Sequence, residues 1–210
     1  MATSGLNALP KRTRLPAGER KAEIVETALR LAETAGPDAL TTEMIAKAIG
    51  LTQPALFRHF PRKEAIWTAV AGKLAVDMAT ARAAAIRTEL PPGEAVLAIA
   101  MAQAGMIAST PGLAAILFSR ELHVRNAELR AGMAANQKAL HAELSREIER
   151  GKRERAFRGD LDVSDAAFLV IGVVQSLSLR WSLTGKRLDL LGETQRLVDL
   201  LLAGFADRPA

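Results

Sequence analysis

The sequence predicts an all-α protein, on three observations. Apolar residues recur at helical spacing along the chain, with no convincing run of alternating apolar and polar residues. Ala, Leu, Glu and Arg dominate, and all four favour helices, whereas Val, Ile and aromatic residues are few. Gly and Pro fall where the periodicity breaks, as in "GPD" at Gly36, "ELPPGEA" at Glu89 and "TPG" at Thr110. With 210 residues, 49% of them hydrophobic, the chain can bury a real core in one or two domains.

The elements follow in order. Residues 1–16 are polar, carry Pro10 and Pro16, and read as a flexible arm. A first helix runs from about Ala17 to Ala35, with Ile24, Val25, Ala28, Leu29, Leu31, Ala32 and Ala35 on one stripe. A second, short helix is capped by Thr41 or Thr42, points Ile45 and Ile49 inward and ends at Gly50. The third opens at Thr52 as N-cap. Pro54 sits in its first turn, so the Thr52 hydroxyl is expected to accept from the Ala55 N–H, and Pro61 closes it.

A helix from about Arg62 to Arg87 carries Ile66, Val70 and Leu74 at four-residue spacing. Another follows to Ser109, then a short one over "LAAILFSREL" and a long one from about Asn126 to Arg155. Asp162 caps a helix to Leu183 whose centre is apolar nearly all round, and the last helix spans Leu188 to Phe205. That makes about nine helices. Two such apolar helices at the end of one chain are most simply buried by a second copy. The residues expected at that contact are Ala167, Val170, Ile171, Val174, Leu177, Trp181, Leu197 and Leu201.

The formal net charge of +5 favours an anionic partner only mildly. The chain has no cysteine, which removes disulfides and thiolate-ligated metals. No signal peptide is expected, nor a membrane span, since no run of about 18 apolar residues lacks a polar break. A cytoplasmic location is the expectation. The histidines at 59, 123 and 141 lack metal spacing, and no Gly-rich phosphate loop or G-x-S-x-G motif occurs. Neither an enzyme nor a cofactor is expected. The basic cluster from Arg146 to Arg158 lies at the end of a long helix and is interrupted by Glu147, Glu149 and Glu154; it reads as structural, with a second nucleic-acid site as the alternative.

Three short helices with a tight Gly turn between the second and third describe a helix-turn-helix unit. Its third helix enters a DNA major groove. Leu56 and Phe60 would hold that helix from behind, while Gln53, Ala55, Phe57, Arg58 and His59 would face the duplex. Lys11, Arg12 and Arg14 read as a tail, with a minor-groove arm as the alternative.

The stretch "LTTEMIAKAIGLTQPALFRHFPRKEAIW" resembles the DNA-binding segment of the tetracycline-repressor (TetR) family of bacterial transcription regulators. The matching positions are Thr42, Ile45-Ala46, Gly50, Thr52, Phe57, His59-Phe60 and Lys63, and the resemblance runs without a gap from about Arg20 to Val70. It implies roles for individual residues. Thr42 and His59 would contact phosphate, Gln53 would read adenine, and Arg58 would read guanine. Pro54 and Ala55 would touch sugar, phosphate or a thymine methyl, and Lys63 would reach the backbone. Phe57 stands where the family usually has Tyr, so one phosphate hydrogen bond is missing.

The resemblance further implies residues 17–65 as the DNA-binding domain and 66–210 as a ligand-binding and dimerisation domain. A homodimer would bind a near-palindromic double-stranded operator and act as a repressor. A small-molecule effector would bind between the fourth and eighth helices. The scarcity of polar groups there suggests a mainly apolar effector, oriented by Gln103, His123, Asn136, Gln137 and Gln175, with Met101 and Met106 as adaptable lining. The competing reading is an architectural DNA-binding protein without an effector.

Overall fold

A computed structural model describes residues 15–86 and 89–207. Most of the arm assigned to residues 1–16, including Lys11, Arg12 and Arg14, lies outside the described residues. Among those described, ten helices occur and no strand, only one isolated bridge pairing Phe157 with Ala206. They are α1 Ala17–Ala35, α2 Thr42–Ala48, α3 Gln53–Phe57, α4 Lys63–Ala85, α5 Pro92–Ser109, α6 Leu113–Phe118, α7 Arg120–Arg125, α8 Ala127–Arg153, α9 Val163–Leu183 and α10 Leu190–Phe205.

The count exceeds the expected nine because "LAAILFSREL" is two helices. Ser119 breaks it: the Ser119 hydroxyl accepts from the Leu122 N–H at 3.0 Å, which caps a new helix, and donates to Asp38 Oδ1 at 2.7 Å. A hydroxyl that caps α7 while meeting a carboxylate 81 residues away is a tertiary feature, invisible to local periodicity.

α1, α2 and α3 form the head. Ile24, Leu29, Leu40, Ile45 and Leu56 are fully buried between them and the start of α4. α2 ends in a Schellman turn, with the Leu51 N–H returning to the Ala46 carbonyl at 2.8 Å and the Gly50 N–H to the Lys47 carbonyl at 3.1 Å. Gly50 holds φ of 64° there, a conformation that costs a β-carbon about 1 kcal/mol or more.

α4 is the longest element shared by head and body. Ile66, Val70, Leu74 and Met78 recur every fourth residue and are fully buried, as the spacing predicts. The stripe's next member is Arg82, only 1% exposed. In the body, α4 packs against α5 and α8, while α10 covers α5 and α9. α9 has the length and mean hydropathy (1.5) of a membrane-spanning helix, which a search for unbroken apolar runs passes over. Its inner face packs on α5, α6, α8 and α10 in the body's core, which accounts for the apolar residues of that face.

Head and body are joined at several points beside α4. The Glu33 carboxylate accepts from the Gly112 N–H at 3.1 Å and pairs with Lys186. Lys73 of α4 bridges Glu26 of α1 at 3.0 Å and Asp77 at 2.7 Å. Gly112 has φ of 70°, and a β-carbon there would stand 2.3 Å from the Leu29 carbonyl oxygen. Glycine is therefore what lets α6 approach α1 so closely.

Candidate functional site

α3 begins as its sequence dictates. Thr52 caps it, accepting from the Ala55 N–H at 3.3 Å, the one donor left near the cap once Pro54 has removed its own. Leu56 is fully buried and Phe60 is 6% exposed, with the Lys21 ammonium 5.8 Å from its ring centre. The opposite edge is open: Thr52, Gln53, Pro54, Phe57 and Arg58 are exposed, and His59 and Lys63 are half-buried. Between Glu43 and Glu64 the chain has Lys47, Arg58, Arg62 and Lys63 and no acidic residue, so that edge carries a local positive charge. Arg58 and His59 also line a groove with Arg20, where the start of α1 meets α3.

Two expected contacts are less open than the others. Thr41, not Thr42, is the cap of α2, and Thr42 is 8% exposed; its hydroxyl accepts from Gln53 Nε2 at 2.7 Å, which leaves its own hydrogen to donate. Ala55 is 9% exposed, turned toward the head's core at the floor of the groove, and presents little surface to a duplex. Thr42 fixes the Gln53 amide. Because an amide nitrogen has two hydrogens, the second remains available for an adenine N7.

A second site lies in the body. A cavity of about 80 Å³ opens among α5, α6, α8 and α9, lined by Gln103, Ile107, Leu117, Phe118, Met133, Asn136, Gln137, Leu140, Ile171, Val174, Gln175 and Ser178. Four of the expected ligand residues, Gln103, Asn136, Gln137 and Gln175, meet there. Three do not line it. His123 Nε2 lies 3.0 Å from the Ile116 carbonyl, bracing the α6–α7 corner, and Met101 and Met106 are half-buried elsewhere on α5.

Beside the cavity lies a residue that pattern reading missed. The Arg82 guanidinium donates to Glu143 through Nε (2.6 Å) and Nη2 (3.4 Å), and through Nη1 to Gln103 Oε1 and Asn136 Oδ1, both at 3.2 Å. An arginine falling in register with Ile66, Val70, Leu74 and Met78 was the available signal.

Residues 24–70 match the sequence profile of the bacterial regulatory proteins, tetR family. The match covers the helix-turn-helix head, which is similar to the DNA-binding segment of that family. The chain is similar to the nucleoid occlusion factor SlmA of Haemophilus ducreyi, at 29% identity over 168 residues, which cover 76% of this chain and 82% of that one. It is also similar to the probable HTH-type transcriptional regulator ArpR of Pseudomonas putida, at 28% identity over 90% of this chain and 92% of ArpR. Its fold matches that of the transcriptional regulator FadR from Bacillus subtilis, solved in complex with stearoyl-CoA, with a TM-score of 0.74, 20% identity, and 88% and 98% of the two chains covered. The chain accordingly has the fold of these transcriptional regulators, with a helix-turn-helix head of the tetR type.

The expected subunit contact needs correction. Ala167, Val170, Ile171, Val174, Leu177 and Trp181 are buried within the chain itself, and Ile171 and Val174 line the cavity. They form the inner face of α9 and offer nothing to a second copy. Leu197 and Leu201 on α10 are half-buried. The exposed apolar side chains of these helices are Phe168, Leu169, Leu179, Leu183, Leu191 and Leu200. The basic cluster at the end of α8 is tied into the body, with Arg150 paired to Glu147 and Glu154 and donating to the Leu90 carbonyl, and Lys152 donating to the Leu161 carbonyl.

Proposed function

We propose that the protein is a homodimeric repressor that binds a near-palindromic operator and is released by a mainly apolar small molecule. The observation that carries the DNA half is the division of α3, with Leu56 and Phe60 buried and Gln53, Arg58 and His59 on an open, acid-free edge. In this reading residues 17–65 are the DNA-binding unit and 66–210 the effector and dimer unit. Gln53 and Arg58 read bases, His59 and Lys63 meet phosphates, and Pro54 and the Phe57 ring pack on the sugars. Two copies pair through Phe168, Leu169, Leu179 and Leu183 of α9 with Leu191 and Leu200 of α10, an apolar surface left open in the single chain.

The effector occupies the body cavity, whose walls are mostly apolar. It acts on DNA only by favouring one spacing of the two heads over the other. α4 is the natural lever, since it runs from Lys63 at the DNA edge to Arg82 beside the cavity. Solved relatives of this fold support such a site, FadR having been captured with stearoyl-CoA.

The likeness to a nucleoid occlusion factor favours a second reading, a DNA-binding protein that acts without an effector. Sequencing genomic fragments retained by the purified protein tests the first reading. A shared inverted repeat upstream of a few genes supports it, and even retention of all fragments would contradict it.

A further inference from the structure

We propose that the body cavity accepts an uncharged ligand whose recognised group is a hydrogen-bond donor, a hydroxyl or N–H, received by the side-chain carbonyl of Gln137. This rests on the effector reading above and narrows its chemistry. Gln137 Oε1 is shielded from solvent and has no hydrogen-bond partner among the described residues, yet Gln137 lines the cavity. A buried carbonyl without a donor is costly, and a ligand that supplies one recovers that cost on binding. Three of the other four polar lining residues are already engaged, and the fourth, Gln175, is exposed to solvent. Gln103 Oε1 and Asn136 Oδ1 accept from Arg82, Asn136 Nδ2 lies 3.1 Å from Met78 Sδ, and the Ser178 hydroxyl donates to the Val174 carbonyl at 2.6 Å.

The charge of the ligand follows from the same network. No charged side chain lines the cavity. Arg82 stands directly behind Gln103 and Asn136 and opposes a cation. Its charge is already met by both oxygens of Glu143, so an anion gains little from it and loses its hydration. The cavity's size sets the shape. At about 80 Å³ it is smaller than the roughly 150 Å³ in which benzene is held. The donor end therefore sits inside, and the ligand's apolar remainder lies against the exposed Phe118 at the rim.

Three probes of one shape test this: phenol, its methyl ether anisole, and benzoate, titrated calorimetrically into the full-length protein and into Gln137→Leu. Gln137 is half-buried on α8, and circular dichroism melting checks that the variant is folded. Phenol is expected to bind about tenfold more tightly than anisole, with benzoate weakest. In Gln137→Leu that preference should fall to about one, with anisole unchanged. A preference that survives in the variant, anisole equal to phenol in the wild type, or benzoate binding most tightly overturns the donor assignment and leaves the effector reading standing. No binding by any probe overturns both.

Discussion

The Arg82–Glu143 pair makes an unusual demand on the body's stability. Arg82 occupies a core position of α4, 1% exposed, and its charge is balanced by one carboxylate that is itself 21% exposed. Glu143→Leu leaves the guanidinium buried, with only the Gln103 and Asn136 oxygens as acceptors. Breaking a buried pair from one side costs about 3–5 kcal/mol, a drop of two to three orders of magnitude in the folded-to-unfolded ratio. Arg82→Met/Glu143→Leu removes both charges, and Met continues the Ile66–Met78 stripe with similar volume. Two amide oxygens lose a donor, but no charge is stranded. The double variant should therefore be more stable than Glu143→Leu alone, by about 1–3 kcal/mol. Urea unfolding followed by the fluorescence of Trp67 and Trp181, both buried, measures all three chains. Strict additivity, with the double variant the least stable, would refute the claim that Arg82 is held as one half of a buried ion pair.

Other consequences are equally direct. Thr42→Val keeps the shape of α2 and removes the 2.7 Å bond that aims Gln53; selection from random DNA should show preference weakened at one base position by about 1 kcal/mol, with stability nearly unchanged. Leu169→Glu should monomerise the protein in analytical ultracentrifugation. Each subunit loses a buried leucine worth about 1.5–3 kcal/mol, so the dimer Kd rises by at least about 100-fold. Hydrogen bonds to Asp77 and then Glu26 raise the Lys73 pKa above its ordinary value. Its contribution is therefore complete below the unfolded pKa and fades as pH rises through the higher folded one. Melting temperature should fall more steeply above about pH 10 in the wild type than in Lys73→Met.

Local signals determined much of the fold. The caps at Thr52 and Asp162, the glycine turn at Gly50 and the Ile66–Val70–Leu74 stripe all depend on neighbours within one or two turns, and the structure has each of them. Features that depend on partners far along the chain were not legible. Ser119 splits a helix because it also meets Asp38, and Thr42 turns inward because Gln53 reaches it. α9 shows the limit most clearly. With apolar residues on nearly every side, its periodicity does not say which face meets its own core. The residues expected at a subunit contact proved to be that inner face, and Phe168, Leu169 and Leu179 the outer one. A third of the body cavity's lining, four residues of twelve, was foreshadowed by the few polar residues of the middle helices. Arg82 was overlooked because a charge within an apolar stripe reads as the stripe's end.

In the proposed function the open edge of α3 reads DNA sequence. Its most direct test is equilibrium binding of wild type, Arg58→Ala and Lys63→Ala to a selected genomic fragment and to its scrambled counterpart, across a range of salt concentrations. Arg58→Ala is expected to lose about 1–3 kcal/mol of discrimination between the two fragments, while Lys63→Ala weakens both alike and lowers the salt slope by about one. Wild-type binding that ignores salt and does not distinguish the fragments would contradict it.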